Sequence, residues 1–208
     1  MYLNPVFDAT EIEKEKGVII EEINMYEDTP SRKVQELFMN LLYGDQPAGW
    51  DIAGRKEVIQ VLQRENFINY RSKHYVPQAT VIVVAGGFSA QGGEKIIIDK
   101  VNHYFGKLKP GEKHKKVQVL EKQDEPAELV KFKESDQTHI VLGFRAFKFS
   151  DPRRYALDVL ADILGGGMSS RLFQRIREEM GAAYYIGASA DLYTDHGLVL
   201  MAAGINHE

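Results

Sequence analysis

The hydrophobic and polar positions of the chain alternate between two periods, one helical and one of two residues. From Asp8 to about Glu27 the spacing is helical, and Asp8 with Glu11 three residues on reads as a capping box. The next run, "TPSRKVQELFMNLLYG", predicts a second helix with Thr29 as N-cap, Pro30 at the first helical position and Gly44 past the end. After the loop "DQPAGWDIAG", residues 56–75 predict one amphipathic helix that stops ahead of Pro77. "ATVIVVAGG" predicts a valine-rich buried strand, and "SAQGGEKIIIDKVNHYFG" a helix ending at Gly106. Residues 107–126 lose all periodicity and fill with charge, Pro and Gly, as a linker does. Beyond them "ELVKFKES" and "THIVLGFRAF" alternate as strands around a turn near Asp136. Asp151 and Pro152 open a helix that ends near the glycines of 165–167, and "SSRLFQRIREEM" is a helix stopped by Gly181. Residues 182–205 predict a hairpin turning at Asp195 to Gly197, an antiparallel pair with one solvated face. The fold class expected is therefore α+β, in two parts: residues 1–106 and 127–208, joined by the 107–126 linker.

Composition narrows the function without assigning one. The chain has 208 residues, 44% apolar and 27% charged, which is ordinary for a globular protein with a buried core. A net charge of -4 and the lack of a basic stripe argue against nucleic acid or an anionic membrane surface as partner. No apolar run reaches the ~18 residues of a membrane span, so a cytoplasmic location is expected. There is no cysteine, so a transition-metal site would draw on His, Asp or Glu.

The first helix concentrates that chemistry. In "EIEKEKGVIIEEI" Glu15 and Glu22 are seven residues apart, close to two turns, and so share one face with Glu11. Their α-carbons are ~10.5 Å apart along the axis. Ligand oxygens sit ~2.0–2.2 Å from zinc, so at most one of the two binds a given ion directly. Spacing alone favours a solvated charged face, to which Glu13, Lys14, Lys16 and Glu21 are assigned.

This stretch, the following helix, and "YGDQPAGWDIAGRKEVIQVLQRENFINYRSKHYVPQATVIVVAGG" together resemble the pitrilysin/insulinase family of zinc peptidases, in particular its mitochondrial-processing-peptidase-like branch. "GGGMSSRLFQRIREEMGAAYYIGASADLYTDHGLVLMAAGI" resembles the second domain of that family, with its Arg-Leu-Phe run, an Arg on the helix, and a Gly and Tyr just after it. The resemblance covers nearly the whole chain. It implies two related domains, each a mixed or antiparallel sheet with helices packed on one side, both incomplete here. It also implies zinc held by two histidines of a His-x-x-Glu-His motif and by a downstream Glu. Carried over, Glu22 is that third ligand and Glu15 a supporting carboxylate that orients the site.

The chain departs from the pattern at one point. None of its six histidines, His74, His103, His114, His139, His196 and His207, belongs to a His-x-x-Glu-His motif. The water-activating Glu and two ligands are thus missing, which fits the middle of a longer protein whose zinc this chain alone would not hold. Arg177 and Tyr184 form a second candidate site. The resemblance implies that they bind substrate carbonyls and stabilise the tetrahedral intermediate, as fixed donors can. Tyr184 also shares a strand face with Ile186, Ala188 and Ala190, as a core aromatic would, and Arg177 suits a helix C-terminus. "GGFSAQGG" lacks the spacing of a dinucleotide loop. His74 reads as a helix-end or packing residue, and Trp50 lies in a loop where it packs or covers substrate. The expectation is part of a zinc endopeptidase acting on short or unfolded peptides, working as a homodimer or beside a homologous subunit. The alternatives are a non-catalytic paralogue subunit with a structural or substrate-holding role, and a plain interaction domain.

Overall fold

The structure, a computed structural model, describes residues 2–88 and 92–207. It is an α+β fold in two compact units that interleave in sequence, one of residues 1–19 with 57–116 and the other of 20–56 with 117–208. Helix α1 (Ala9–Glu27) begins in the first and ends in the second. Its start is fixed by Asp8, whose Oδ1 accepts from the amides of Thr10 and Glu11 at 2.9 and 3.1 Å. The Glu11 side chain does not reach back to close a box; it pairs with Lys14 at 2.6 Å.

In the first unit, the helix expected over 56–75 is two: α3 (Lys56–Val61) and α4 (Arg64–His74). The break is a cap built from amide side chains, Gln63 and Asn66 bonding each other's backbone amides, with Gln63 N to Asn66 Oδ1 at 2.7 Å. His74 stacks between Tyr70 and His114, with ring centroids at 4.4 and 5.0 Å. The valine run 81–84 is not a strand: Val81 and Val83 are more than four-fifths exposed. A run of β-branched residues forms a ladder only where a partner strand offers its backbone, and among the described residues none does. Helix α5 (Gly93–Phe105) ends ahead of Gly106; the expected start of that helix at 89–91, with part of "GGFSAQGG", lies outside the described residues.

The second unit holds the sheet. Strands β1 (Thr138–Ala146), β2 (Ala183–Leu192) and β3 (Gly197–Ile205) are antiparallel in the order β1-β3-β2. The hairpin partner β3 is therefore central, and its neighbours Leu198 and Val199, which point to opposite faces, are both fully buried. Both faces of β3 are covered there, in place of the one solvated face expected for the hairpin. Helix α2 (Pro30–Tyr43) packs on β1, with Phe38 over Gly143, and its Leu42 and Tyr43 close a core around Leu198 that Val119 and Leu200 extend. Pro30 opens α2, but the Thr29 hydroxyl turns back to the Met25 carbonyl at 2.8 Å and caps the end of α1. Helix α6 (Arg154–Gly165) packs on β2. "ELVKFKES" forms no strand; Lys131 and Lys133 tie it to Glu27 and Asp28. Among the described residues no helix is long and apolar enough to cross a membrane.

One group in this unit sets a pH dependence. Burial holds His139 below the ordinary imidazole value. A histidine depressed in the folded state binds fewer protons there than in the unfolded chain, so its contribution is present above about pH 6.5 and is lost as the pH falls. The urea midpoint of the second unit is expected to drop between pH 7 and 5, and His139→Gln to flatten that slope. An unchanged slope would assign the loss to other groups.

Candidate functional site

Arg177 and Tyr184 come together at a junction of two local irregularities. The segment Phe173–Glu179 is a π-helix, not the regular helix expected for 169–180; the Met180 amide bonds the Arg175 carbonyl five residues back, at 3.2 Å. Gly181, at a φ of 62°, ends it in the left-handed region that glycine adopts without strain. Two residues on, the ladder between β2 and β3 slips: Ala183 faces Ile205 and Tyr185 faces Gly204, so Tyr184 is an extra residue, a β-bulge. A bulged residue is left out of the ladder. Its carbonyl is instead taken by Arg177, whose Nη1 donates to Tyr184 O at 2.5 Å.

The side chains stack beside that bond. The Arg177 guanidinium carbon is 5.1 Å from the Phe173 ring centroid and 5.9 Å from that of Tyr184. Tyr184 is 69% exposed and so is not a core aromatic. Arg177 is exposed as well. The result is a phenol and a guanidinium, both open to solvent, on backbone fixed by a hydrogen bond between them. Such donors can bind carbonyl oxygens or a developing oxyanion with little reorganisation.

Glu15 and Glu22 both lie on α1, Glu15 exposed and Glu22 half-buried. Glu22 has a fixed partner four residues on: the Tyr26 hydroxyl donates to its Oε1. That bond raises the Tyr26 phenol above its ordinary value. The Arg32 guanidinium lies over the same ring, 3.3 Å from its centroid. Sequence reasoning misses Tyr26, although Glu22 and Tyr26 at i and i+4 on one helix face are the signal that would find it. Lys16, assigned above to the solvated face, is buried and donates to Glu13 at 2.6 Å and to the Gln60 carbonyl at 3.3 Å, because α1 turns that side inward.

A catalytic zinc centre needs about three protein ligands. Among the described residues no three His, Asp or Glu side chains come together to hold a metal ion. Glu22 offers one carboxylate, and one of its oxygens is engaged by Tyr26. The described residues therefore do not by themselves fit a zinc centre.

A sequence model of the family described as "Peptidase M16 inactive domain" matches residues 62–208. The uncharacterized zinc protease YmxG of Bacillus subtilis is 37% identical over 205 residues, covering 98% of this chain and 48% of that protein. An uncharacterized zinc protease of Rickettsia bellii is 34% identical, covering 99% and 48%. The chain spans about half the length of the curated relatives it matches. Among solved structures, the peptidase M16 inactive domain from Pseudomonas fluorescens superposes with a TM-score of 0.80 at 22% identity, covering all of this chain and 49% of that one. A putative M16-like peptidase from Alicyclobacillus acidocaldarius gives 0.76 at 24% identity, covering 99% and 49%.

Proposed function

The chain belongs to the M16 peptidase family, and from that membership we propose that it is the part of a zinc endopeptidase that holds a short or unfolded peptide in an enclosed chamber and does not hydrolyse it alone. The observation that carries this reading is the Arg177–Tyr184 pair: two solvent-open donors on one pinned turn, of the kind that grips peptide carbonyls. Glu22 is the single ligand this chain offers to zinc in a polypeptide of the relatives' length, with Tyr26 fixing its carboxylate and Glu15, two turns away, as a supporting charge. The remaining ligands come from elsewhere in that polypeptide. The peptide chamber forms between this part and a second copy or a homologous subunit, in a processing-peptidase-like arrangement. Neither nucleic acid nor a membrane is a partner.

The test joins two measurements on the 208-residue chain. Zinc content after dialysis is expected to be far below one ion per chain, and a quenched peptide to stay uncut while a fluorescein-labelled unstructured peptide binds and loses affinity with Tyr184→Ala. Tight stoichiometric zinc with turnover would overturn the reading of a non-hydrolytic part. Peptide binding indifferent to Tyr184 would remove the substrate role.

A further inference from the structure

We propose that His139 and Tyr185 are positioning residues, a clamp across the sheet that holds the β2 bulge and so sets where Tyr184 projects; this rests on the peptide-holding role of Tyr184. The two residues lie on the outer strands and are not neighbours. In the register His139 of β1 faces Gly204 of β3, and Gly204 faces Tyr185 of β2, so the three share one face of the sheet. Outer strands of a three-stranded sheet are about 9.5 Å apart, twice the strand spacing, which only a long side chain can cross. The Tyr185 ring crosses it: its Oη lies 2.9 Å from His139 Nδ1, and the two rings stack at 5.8 Å and 25°.

Gly204 makes the crossing possible. A Cβ at that position would overlap the Tyr185 ring and come within 2.8 Å of Gln137 Oε1. The glycine leaves a groove across the central strand, and the tyrosine ring lies in it. Tyr185 is the first residue after the bulge to regain the ladder. Fixing its side chain from the far strand fixes the point at which the register slips. A bulge held only by its own strand pair can migrate along it, and a shift of one residue would turn Tyr184 to the other face. Two restraints thus converge on Tyr184, Arg177 on its carbonyl and the clamp on its successor.

The experiment has two readouts. In the 208-residue chain, backbone amide exchange at residues 184–186 is expected to quicken about two- to tenfold in Tyr185→Phe and in His139→Ala, the loss of one hydrogen bond. His139→Gln, which keeps an acceptor, is expected to restore most of the protection. The second readout is a double-mutant cycle on peptide affinity. Tyr185→Phe should weaken binding by a similar factor in the parent and have no further effect in Tyr184→Ala, because it acts through that ring. A purely structural role would give additive losses, and additivity, or unchanged exchange, overturns the clamp. If Tyr184→Ala itself leaves binding intact, the peptide-holding reading has failed and the positioning role goes with it. Loss of binding in Tyr184→Ala with no effect of Tyr185→Phe sinks the clamp alone.

Discussion

In a polypeptide of the relatives' full length, Tyr184→Phe is expected to lower kcat for a quenched peptide by about 10²–10³ and to raise KM by much less. The phenol is open to solvent, on a bulge fixed by Arg177, so removing its hydroxyl deletes a donor without disturbing the core. A donor that acts when charge develops on the reacting carbonyl is used mainly in the transition state, which is why the loss falls on turnover. The same protein tests the two-subunit arrangement. Inactive Glu22→Gln and inactive Tyr184→Phe subunits, mixed and allowed to exchange, would form pairs with one doubly defective site and one intact site if Tyr184 works across the subunit boundary. Activity should then reappear. A mixture that exchanges and stays dead would place both residues in the same subunit's site.

Leu198→Ala is expected to be the most damaging single change to the fold, at about 2–5 kcal/mol. Leu198 has no exposed surface, and it is enclosed by Leu42 and Tyr43 of α2 and by the partly buried Phe38 and Leu200. It lies on the central strand, where neither neighbouring strand can close over the gap without breaking its ladder. Against a total stability of ~5–15 kcal/mol, that loss removes much of what holds the second unit together. Leu142→Ala is the control: on β1 and 65% exposed, it should cost within about 0.5 kcal/mol. Urea unfolding followed by circular dichroism measures both. Equal shifts for the two leucines would show that the core is not centred on Leu198.

What was legible in the sequence was local. Pro30 and Gly44 bound α2 through their own backbone preferences, and alternation located the three strands of the sheet. Part of what failed depended on partners distant in sequence. "ATVIVVAGG" and "ELVKFKES" have strand composition, but a strand also needs a neighbour, and no periodicity reports one. Thr29 has the chemistry of an N-cap yet bonds backward to Met25, because both helix ends compete for one hydroxyl. At the candidate site the residue types were readable, and the spacing of Arg177 and Tyr184 was too. The bulge and the π-helical register that join them leave no mark in the hydrophobic pattern.

That register bears on how sequences of this family are aligned. Arg177 reaches the Tyr184 carbonyl through a turn bonded five residues back, one residue longer than an ordinary helix turn. Deleting one exposed residue, such as Gln174, would let the segment relax to the ordinary turn and rotate the remainder of the helix, Arg177 included, by about 100°. Arg, Tyr and Gly would all still be present, and a composition search would count the motif as intact. A single gap in that helix therefore says more about whether a relative keeps the pair than the identity of any residue in it other than Arg177.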